Sequence, residues 1–279
     1  MKRHFFKLAL ILIMVLALVG CGSKEKTGQE KGEAESVEAP QTVASGEAAS
    51  GQNDSGKGLV CTSYEAYNTA WYDFADYVID ASEDHEIVAV KRPLVLPMSL
   101  KSLNYIIPLS TLGQSINTMG QEDLEFEKRM LQAGWRDEVE LTKIPEEGYL
   151  VKGTDKNGNQ VELEVRYDAA ADSLRLKAVE NGKQAYLLEY TKTPDGYVAQ
   201  QHYVDVVEYE KGNAVEGLCT YRMIFGGTKG SCARFKNVSG EPESIFGKNP
   251  EAQSFIEGAT DWLTVTDGQF TGLLGGQSF

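Results

Sequence analysis

Apolar and polar residues alternate with a period of two through much of the middle of the chain. The clearest run lies at residues 161–167, where one set of alternating positions is apolar and the other is charged. The apolar set is Val161, Leu163, Val165 and Tyr167, and the charged set is Glu162, Glu164 and Arg166. Such alternation predicts a β-strand with one buried and one exposed face.

Turn dipeptides divide the region from Val139 to Val238 into further runs of this kind. The dipeptides are Asn157-Gly158, Asn181-Gly182, Asp195-Gly196, Gly212-Asn213 and Gly226-Gly227. The predicted strands cover residues near 149–155, 159–167, 173–180, 183–192, 197–210, 214–225 and 230–238, with an eighth at 139–143 if that run is also extended. Connections this short pair sequential strands antiparallel, so the sequence predicts a meander of about seven strands.

The register of one hairpin stays open at this point. A two-residue turn at Asn181-Gly182 would place Leu176 on the same face as Leu187, whereas a three-residue loop would place it with Leu188. Either choice leaves apolar side chains on the second face. We therefore expect cover on both sides of this part of the sheet.

A helical periodicity precedes the strands. Thr62-Ser63-Tyr64-Glu65 matches a capping box, and the apolar residues that follow share one helical face. They are Tyr67, Trp71, Phe74 and Val78, opposite Asp73, Asp76 and Asp80. The aromatic members Tyr67, Trp71 and Phe74 are candidate ligand-facing side chains, although such a stripe is more often core. The predicted fold class is α+β, an antiparallel β-meander covered by amphipathic helices.

Other segments give shorter patterns. Glu86–Lys91 is predicted as a strand, residues 92–120 are left unassigned, and residues 122–133 are predicted as a helix that Gly134 ends. A third helix is predicted from Asn249-Pro250, and the chain from Gly268 either adds a strand or frays. The inward face of that third helix is predicted to hold Phe255, Ile256, Ala259, Trp262 and Leu263.

The first residues of the chain have the pattern of a signal peptide. Met1-Lys2-Arg3 is basic, and the apolar run from Leu8 to Val19 is shorter than the roughly 20 residues that span a membrane. Leu18-Val19-Gly20-Cys21 resembles the lipobox of bacterial lipoproteins. This resemblance covers residues 1–21 only and implies cleavage between Gly20 and Cys21, with a diacylglyceryl group joined to the Cys21 thiol. Two acyl chains give the stable anchorage that one chain does not.

Residues 22–58 are predicted to be a disordered acidic spacer. They contain no aromatic residue, leucine, isoleucine or methionine, so they cannot form a core. As a flexible coil they would span about 35 Å. The predicted organisation is a signal peptide at 1–20, the lipidated cysteine and spacer at 21–58, and a single α+β domain at 59–279.

The chain is acidic, with 27 basic and 41 acidic residues and a formal charge of −14. Loss of residues 1–20 would remove three basic and no acidic residues. Nucleic acid is therefore excluded as a partner, because its phosphates bind clustered lysine and arginine. The sequence has no EF-hand spacing, so calcium is not predicted as a ligand.

Few residues outside the lipobox suggest chemistry, and no catalytic residue, metal ligand or cofactor is predicted. His202, Cys219 and Asp205 could resemble a cysteine-nucleophile arrangement, but the expected hairpin sets Asp205 opposite Cys219 and leaves His202 roughly 10 Å away. His85 is expected to lie in an exposed loop without further metal ligands. Acidic pairs are so frequent that their spacing carries no information about glycoside hydrolysis.

At most one disulfide could form among Cys61, Cys219 and Cys232 once Cys21 is lipidated. The hairpin between Cys219 and Cys232 is predicted to turn about Gly226–Gly230. This register directs the two sulfur atoms to opposite faces of the sheet, so no bond between them is expected. A disulfide from Cys61 to either one stays open.

The sequence thus favours a lipoprotein of the cell membrane, anchored through Cys21 and exposed on the extracytoplasmic side. Its expected role is a non-enzymatic binding or envelope-assembly module, with an apolar ligand, a peptide or an envelope protein as partner. The alternative is an extracytoplasmic cell-wall hydrolase that uses acidic residues, which would need one carboxyl with a raised pKa.

Overall fold

The computed structural model describes residues 59–97, 100–112, 119–145, 148–248 and 252–279. The predicted signal peptide, the cleavage site at Gly20 and Cys21, and the spacer lie outside the described residues. Their assignments therefore stay predictions.

The described part of the chain contains one sheet of eleven strands in sequence order, β1 to β11. The strands are β1 Glu138–Ile144, β2 Gly148–Thr154, β3 Gln160–Asp168, β4 Ser173–Glu180, β5 Lys183–Thr193, β6 Gly196–Glu210, β7 Asn213–Gly226, β8 Lys229–Lys236, β9 Asp261–Thr266, β10 Gln269–Leu274 and β11 Gln277–Ser278. Each pairs antiparallel with its sequence neighbours. The antiparallel meander is thus confirmed, and the predicted seven strands are β2 to β8. The count is larger because the run at 139–143 does form β1 and the last part of the chain adds β9 to β11.

Five α-helices accompany the sheet in the described residues. They are α1 Leu59–Ala81, α2 Glu86–Lys91, α3 Leu100–Thr111, α4 Gln121–Gly134 and α5 Ala252–Ile256. A 3-10 turn, Arg92–Leu94, links α2 to the segment before α3. The amphipathic first helix and the helix predicted at 122–133 are confirmed as α1 and α4.

Helix α1 crosses the strands near one end of the sheet. Ser63 Oγ, in its first turn, donates a 2.6 Å hydrogen bond to Asp172 in the β3–β4 turn. Farther along, Phe74 contacts the backbone at Gly230, at the start of β8. This path brings the apolar face of α1 over the central strands, where the main core lies.

The segment Glu86–Lys91 is a helix, so its prediction as a strand is wrong. His85 caps this helix by accepting a hydrogen bond from the Val88 N–H at its Nδ1 atom. Val88 is buried while Val90 is 73% exposed, which gives one short buried face. The run of four consecutive apolar residues from Ile87 to Val90 fits a strand and a helical turn equally well, and the local cap favours the helix.

The third predicted helix ends at Ile256, and the prediction that it continues through Trp262 and Leu263 is wrong. Gly258 adopts a positive φ of 75°, which ends the helix. Trp262 and Leu263 lie instead in β9, where they pair with Ala233 and Cys232 of β8. The apolar residues at 255–263 are therefore divided between α5 and β9.

The register at Asn181-Gly182, which the sequence left open, combines one feature of each alternative. The turn has two residues, both with positive φ. A bulge at Ala185 then shifts the pairing, so that Leu176 lies opposite Leu188 and shares its face. The turn length follows the first alternative, and the face follows the second.

Gly226 illustrates how closely two hairpins approach each other. A Cβ atom on this residue would lie 1.7 Å from the carbonyl oxygen of Asp195. We expect Gly226→Ala to lower the free energy of unfolding by roughly 1–3 kcal/mol, because backbone atoms would have to move. Urea denaturation of the intact chain measures this. Gly134→Ala is the matched control, since nothing lies within 4 Å of its Cβ position; an equal loss in both variants would contradict the steric argument.

Candidate functional site

The aromatic stripe of α1 packs directly onto the sheet. The Tyr67 ring stacks on Tyr190 with 4.3 Å between centroids, and the rings of Trp71 and Phe74 lie 5.2 and 5.6 Å from Phe225. All three stripe side chains are buried in the main core. The structure places Tyr67, Trp71 and Phe74 together, and an apolar ligand at this position would have to displace these ring contacts.

A row of tyrosines continues along the same face of the sheet. Tyr186, Tyr203 and Tyr221 lie on adjacent strands, with ring centroids 5.9 and 5.3 Å apart. The Tyr221 hydroxyl donates a 2.6 Å hydrogen bond to Asp205 Oδ2. Burial, together with the Asp205 carboxylate, raises the pKa of Tyr221. The phenol therefore stays protonated, and its hydrogen bond fixes the position of Asp205 in β6.

An ion network reinforces this point from the neighbouring strands. Asp261 Oδ2 accepts hydrogen bonds from Arg234 Nη2 at 2.9 Å and contacts Lys236 Nζ at 3.2 Å. Asp261 Oδ1 accepts a hydrogen bond from the Gly275 N–H at 2.7 Å. Arg234 Nη1 donates onward to the Val206 carbonyl at 3.4 Å. Strands β8 and β9 thereby hold the outer part of β6 in place.

Beyond this point β6 and β7 extend past the rest of the sheet as a two-stranded hairpin. The last β5–β6 pair is Tyr186 with Tyr203, and the last β7–β8 pair is Cys219 with Lys236. We call residues Val204–Leu218 the arm. Its strands pair only with each other in the described part of the chain, and each projects by roughly 20 Å.

A bulge in the arm gathers apolar side chains on one face. The register shifts between Val206 and Glu208, so one extra residue enters β6 there. As a result Val204, Val206 and Tyr209 pair with Leu218, Glu216 and Ala214, which alternate along β7 and share a face. We call Val204, Val206, Tyr209, Ala214 and Leu218 the arm stripe. Tyr209 is 71% exposed and Val204 is 40% exposed.

Carboxylates lie beside the arm stripe and within its face, where Glu216 is opposite Val206. The arm contains Asp205, Glu208, Glu210 and Glu216 but only one basic residue, Lys211, so its net charge is −3. Glu208 and Glu210 are exposed on either side of Tyr209. The arm thus presents an apolar strip within a negative field, on a backbone that its base holds fixed.

A mixed-charge cleft of about 610 Å³ lies near the β1 edge of the sheet, between α4 and strands β1 to β3. Lys128, Glu138, Glu140, Lys152 and Glu162 contribute to its wall. Lys152 Nζ lies 2.8 Å from Glu162 Oε2. This ion pair joins directly opposite residues of β2 and β3.

The second face of the sheet is covered by the connection between β8 and β9. Glu189 is buried on this face, and its Oε2 accepts hydrogen bonds from Gln200 Nε2 at 2.6 Å and from the Ile245 N–H at 3.1 Å. Val198, Ile245 and Phe255 form a separate apolar cluster beside it. The expected cover on both sides of the sheet is therefore present, and Glu189 is engaged in holding it.

His202 and Cys219 do not come together. The two-residue turn at Lys211-Gly212 and the bulge in β6 each shift the register by one position, so Tyr203 rather than Asp205 lies opposite Cys219. His202 lies one position along, on the other face, where its Nδ1 is 2.9 Å from Thr220 Oγ1. Burial lowers the pKa of His202. The predicted pairing of Asp205 with Cys219 is wrong, and His202 is a buried strand residue.

None of the three cysteines in the described residues forms a disulfide. The predicted register between Cys219 and Cys232 is wrong, because the β7–β8 turn has two residues and places Met223 opposite Cys232. The two cysteines therefore share the helix-covered face. They are four positions apart along the sheet, roughly 13 Å, which is too far for a disulfide. Burial raises the pKa of the Cys232 thiol.

His85 and the described acidic residues form no recognisable metal site. The His85 ring contacts Phe270 and Phe279 at 5.6 and 5.0 Å between centroids, in addition to capping α2. Within the described ranges, no group of three or more histidine, cysteine, aspartate or glutamate residues could hold a metal ion.

No protein-family model, curated protein or solved structure matches the chain. No helix of the described residues has the length and apolar character needed to cross a bilayer.

Proposed function

We propose that the protein is a lipid-anchored extracytoplasmic binding module that acts in the cell envelope by holding a partner protein. The lipobox resemblance of Leu18-Val19-Gly20-Cys21 supports the lipid anchor and the extracytoplasmic location. The arm supports the binding role, and it is the single feature on which this role depends. An exposed aromatic side chain on a fixed, projecting ribbon is typical of a protein contact.

The interior favours a protein partner over an apolar ligand. The interface between α1 and the sheet is occupied by stacked rings, as shown by the contacts of Tyr67 with Tyr190 and of Phe74 with Phe225. Protein interiors of this kind are close-packed. We therefore assign the binding role to the arm stripe and not to the aromatic face of α1.

The carboxyl groups offer less support for a cell-wall hydrolase. Burial alone would raise the pKa of Asp261 and Glu241, but hydrogen bonds and cationic neighbours outweigh it and lower both. Hydrogen bonds from Asn159, and from Lys248, lower the pKa of Asp155 and Glu243. A general acid for glycoside cleavage needs a shift in the opposite direction.

The geometry of the domain also suits a tethered binding role. The chain enters α1 close to the β3–β4 turn, where Ser63 binds Asp172. In a meander the β3–β4 and β6–β7 turns lie at opposite ends of the sheet. The arm therefore projects from the end that faces away from the proposed tether.

The lipid anchor is tested by measuring the intact mass of the protein extracted from host membranes. We expect a diacylglyceryl increment that is absent from Cys21→Ala, and release of that variant from the membrane fraction. Cys61→Ala is the matched control, since Cys61 is buried in α1 and should leave the increment unchanged. A wild-type chain without the increment, or an increment that survives Cys21→Ala, would overturn the assignment.

A further inference from the structure

The outer edge of β6 is open over the outer part of the arm. Strand β5 pairs with β6 only as far as Tyr203, but β5 itself begins three residues farther along, at Lys183. Both backbone groups of Val206 are engaged, since its N–H donates to Asp205 Oδ1 at 2.8 Å and its carbonyl accepts from Arg234 Nη1 at 3.4 Å. In the described residues no strand lies beside Val207–Glu210 on that side, and such an edge presents backbone N–H and C=O groups that another strand can bind.

The outer edge of β7 is less accessible. The Val238 N–H donates to the Leu218 carbonyl at 3.1 Å, and the space above Gly217 is taken by Asn237 and Val207. The chain that leaves β8 therefore covers the start of this edge. The outer part of the β6 edge, Val207–Glu210, has no such cover in the described residues.

The charge of the arm limits which partners can bind there. Glu208 and Glu210 are exposed beside the open edge of β6, and the arm as a whole is negative. A second copy would bring like charges together, and an anionic membrane surface would repel the arm in the same way. A strand that carries lysine or arginine would be attracted.

We propose that the arm binds a basic, extended segment of a partner envelope protein, which adds as an antiparallel or parallel strand to β6 at Val207–Glu210. Alternate apolar side chains of this segment pack on the arm stripe, above all on Tyr209 and Val204. Its basic side chains pair with Glu208 and Glu210. This inference rests on the proposed binding function and names the chemistry of its partner.

The test uses the full-length lipidated chain in detergent and a short capped peptide of alternating lysine and valine. Binding is measured by calorimetry, and hydrogen exchange of the residues 204–210 is followed with and without the peptide. We expect saturable binding, slower exchange in this segment, and weaker binding in about 0.5 M salt. A peptide of alternating glutamate and valine should not bind.

Variants test whether the peptide binds at the arm or elsewhere on the surface. The double substitution Val204→Ser with Tyr209→Ser should raise the dissociation constant of the lysine–valine peptide by about tenfold or more, because it removes the central apolar contact. Glu208→Gln with Glu210→Gln should weaken binding and reduce its salt dependence. Phe126→Ser is the matched control, since Phe126 is 52% exposed on α4, and it should bind as the wild type does.

Several outcomes would overturn the inference. They are unchanged binding in the Val204/Tyr209 variant, equal binding of the glutamate–valine peptide, slower exchange outside the arm alone, or self-association of the chain through the arm in sedimentation. The Cys21→Ala variant should still bind the peptide. A wild-type chain that lacks the lipid increment but binds the peptide would refute the lipid anchor alone, whereas a lipidated wild-type chain that does not bind the peptide would refute the arm site.

Discussion

Phe225→Ala is expected to lower the free energy of unfolding by about 3–5 kcal/mol. Phe225 is 2% exposed, and its ring lies between 5.2 and 6.0 Å from the rings of four other residues. Those residues are Tyr67, Trp71, Phe74 and Tyr197. Three of them belong to α1, so truncation would leave a cavity at the place where the helix contacts the sheet.

Urea denaturation of the intact chain measures this loss, and near-ultraviolet circular dichroism reports the change in aromatic packing. Phe126→Ala is the matched control, because the same truncation at an exposed position should change stability by less than about 0.5 kcal/mol. If Phe225→Ala were as mild as Phe126→Ala, the contact between α1 and the sheet would not be the main core of the domain.

The strands that the sequence predicts well are those bounded by two-residue turns. Asn181-Gly182 and Gly212 adopt the positive φ that such turns require, and each is followed directly by a strand. The alternation at Val161 and its neighbours also needs only local information. Strands β2 to β8 could thus be placed from the sequence, as could α1 from the spacing of its aromatic residues.

Elements that depend on distant partners could not be placed in this way. The apolar residues around Trp262 fit a helix by spacing, but they form β9 because β8 offers them a free edge to pair with. Ile87 and Val88 belong to a short apolar run that fits a strand, but they lie in α2, whose Lys91 binds β10 and β11 through Leu274 and Gln277. Local pattern cannot choose between these states when the decisive contact is far away in sequence.

The arm was partly visible in the sequence as unequal strand lengths. β6 and β7 have 15 and 14 residues, whereas β8 has 8. Two long strands joined by Lys211-Gly212 must extend beyond shorter neighbours. The bulge at Val207 also leaves a signal, because the alternation of apolar and polar residues breaks at the adjacent pair Val206-Val207 and resumes one position out of phase at Glu208-Tyr209. Without this bulge, Tyr209 could not be assigned to the face of Val204.

Asp261→Asn is expected to lower the free energy of unfolding by about 3–5 kcal/mol near neutral pH, because it leaves a buried charge without its partner. The Asp261 and Arg234 side chains are 1% and 5% exposed. Burial alone would raise the pKa of Asp261, but hydrogen bonds from Gly275, Arg234 and Lys236 hold it below its usual range. Urea denaturation at a series of pH values measures the loss.

The sign of the pH dependence follows from that lowered pKa. A carboxyl whose folded-state pKa lies below its unfolded value, about 3.9, stabilises the fold fully above that value and loses this contribution as the pH falls through the folded-state pKa. The difference between wild type and Asp261→Asn should therefore be greatest above about pH 5 and shrink below about pH 4.

Asp267→Asn provides the matched control for this experiment. Asp267 also pairs with a lysine, Lys229, but its side chain is 63% exposed, so we expect a much smaller loss of stability than for Asp261→Asn. Because Arg234 also binds the Val206 carbonyl, Asp261→Asn should in addition speed hydrogen exchange in the arm, whereas Asp267→Asn should not. Equal exchange in both variants would show that the base of the arm is fixed by other contacts, such as that of Tyr221 with Asp205.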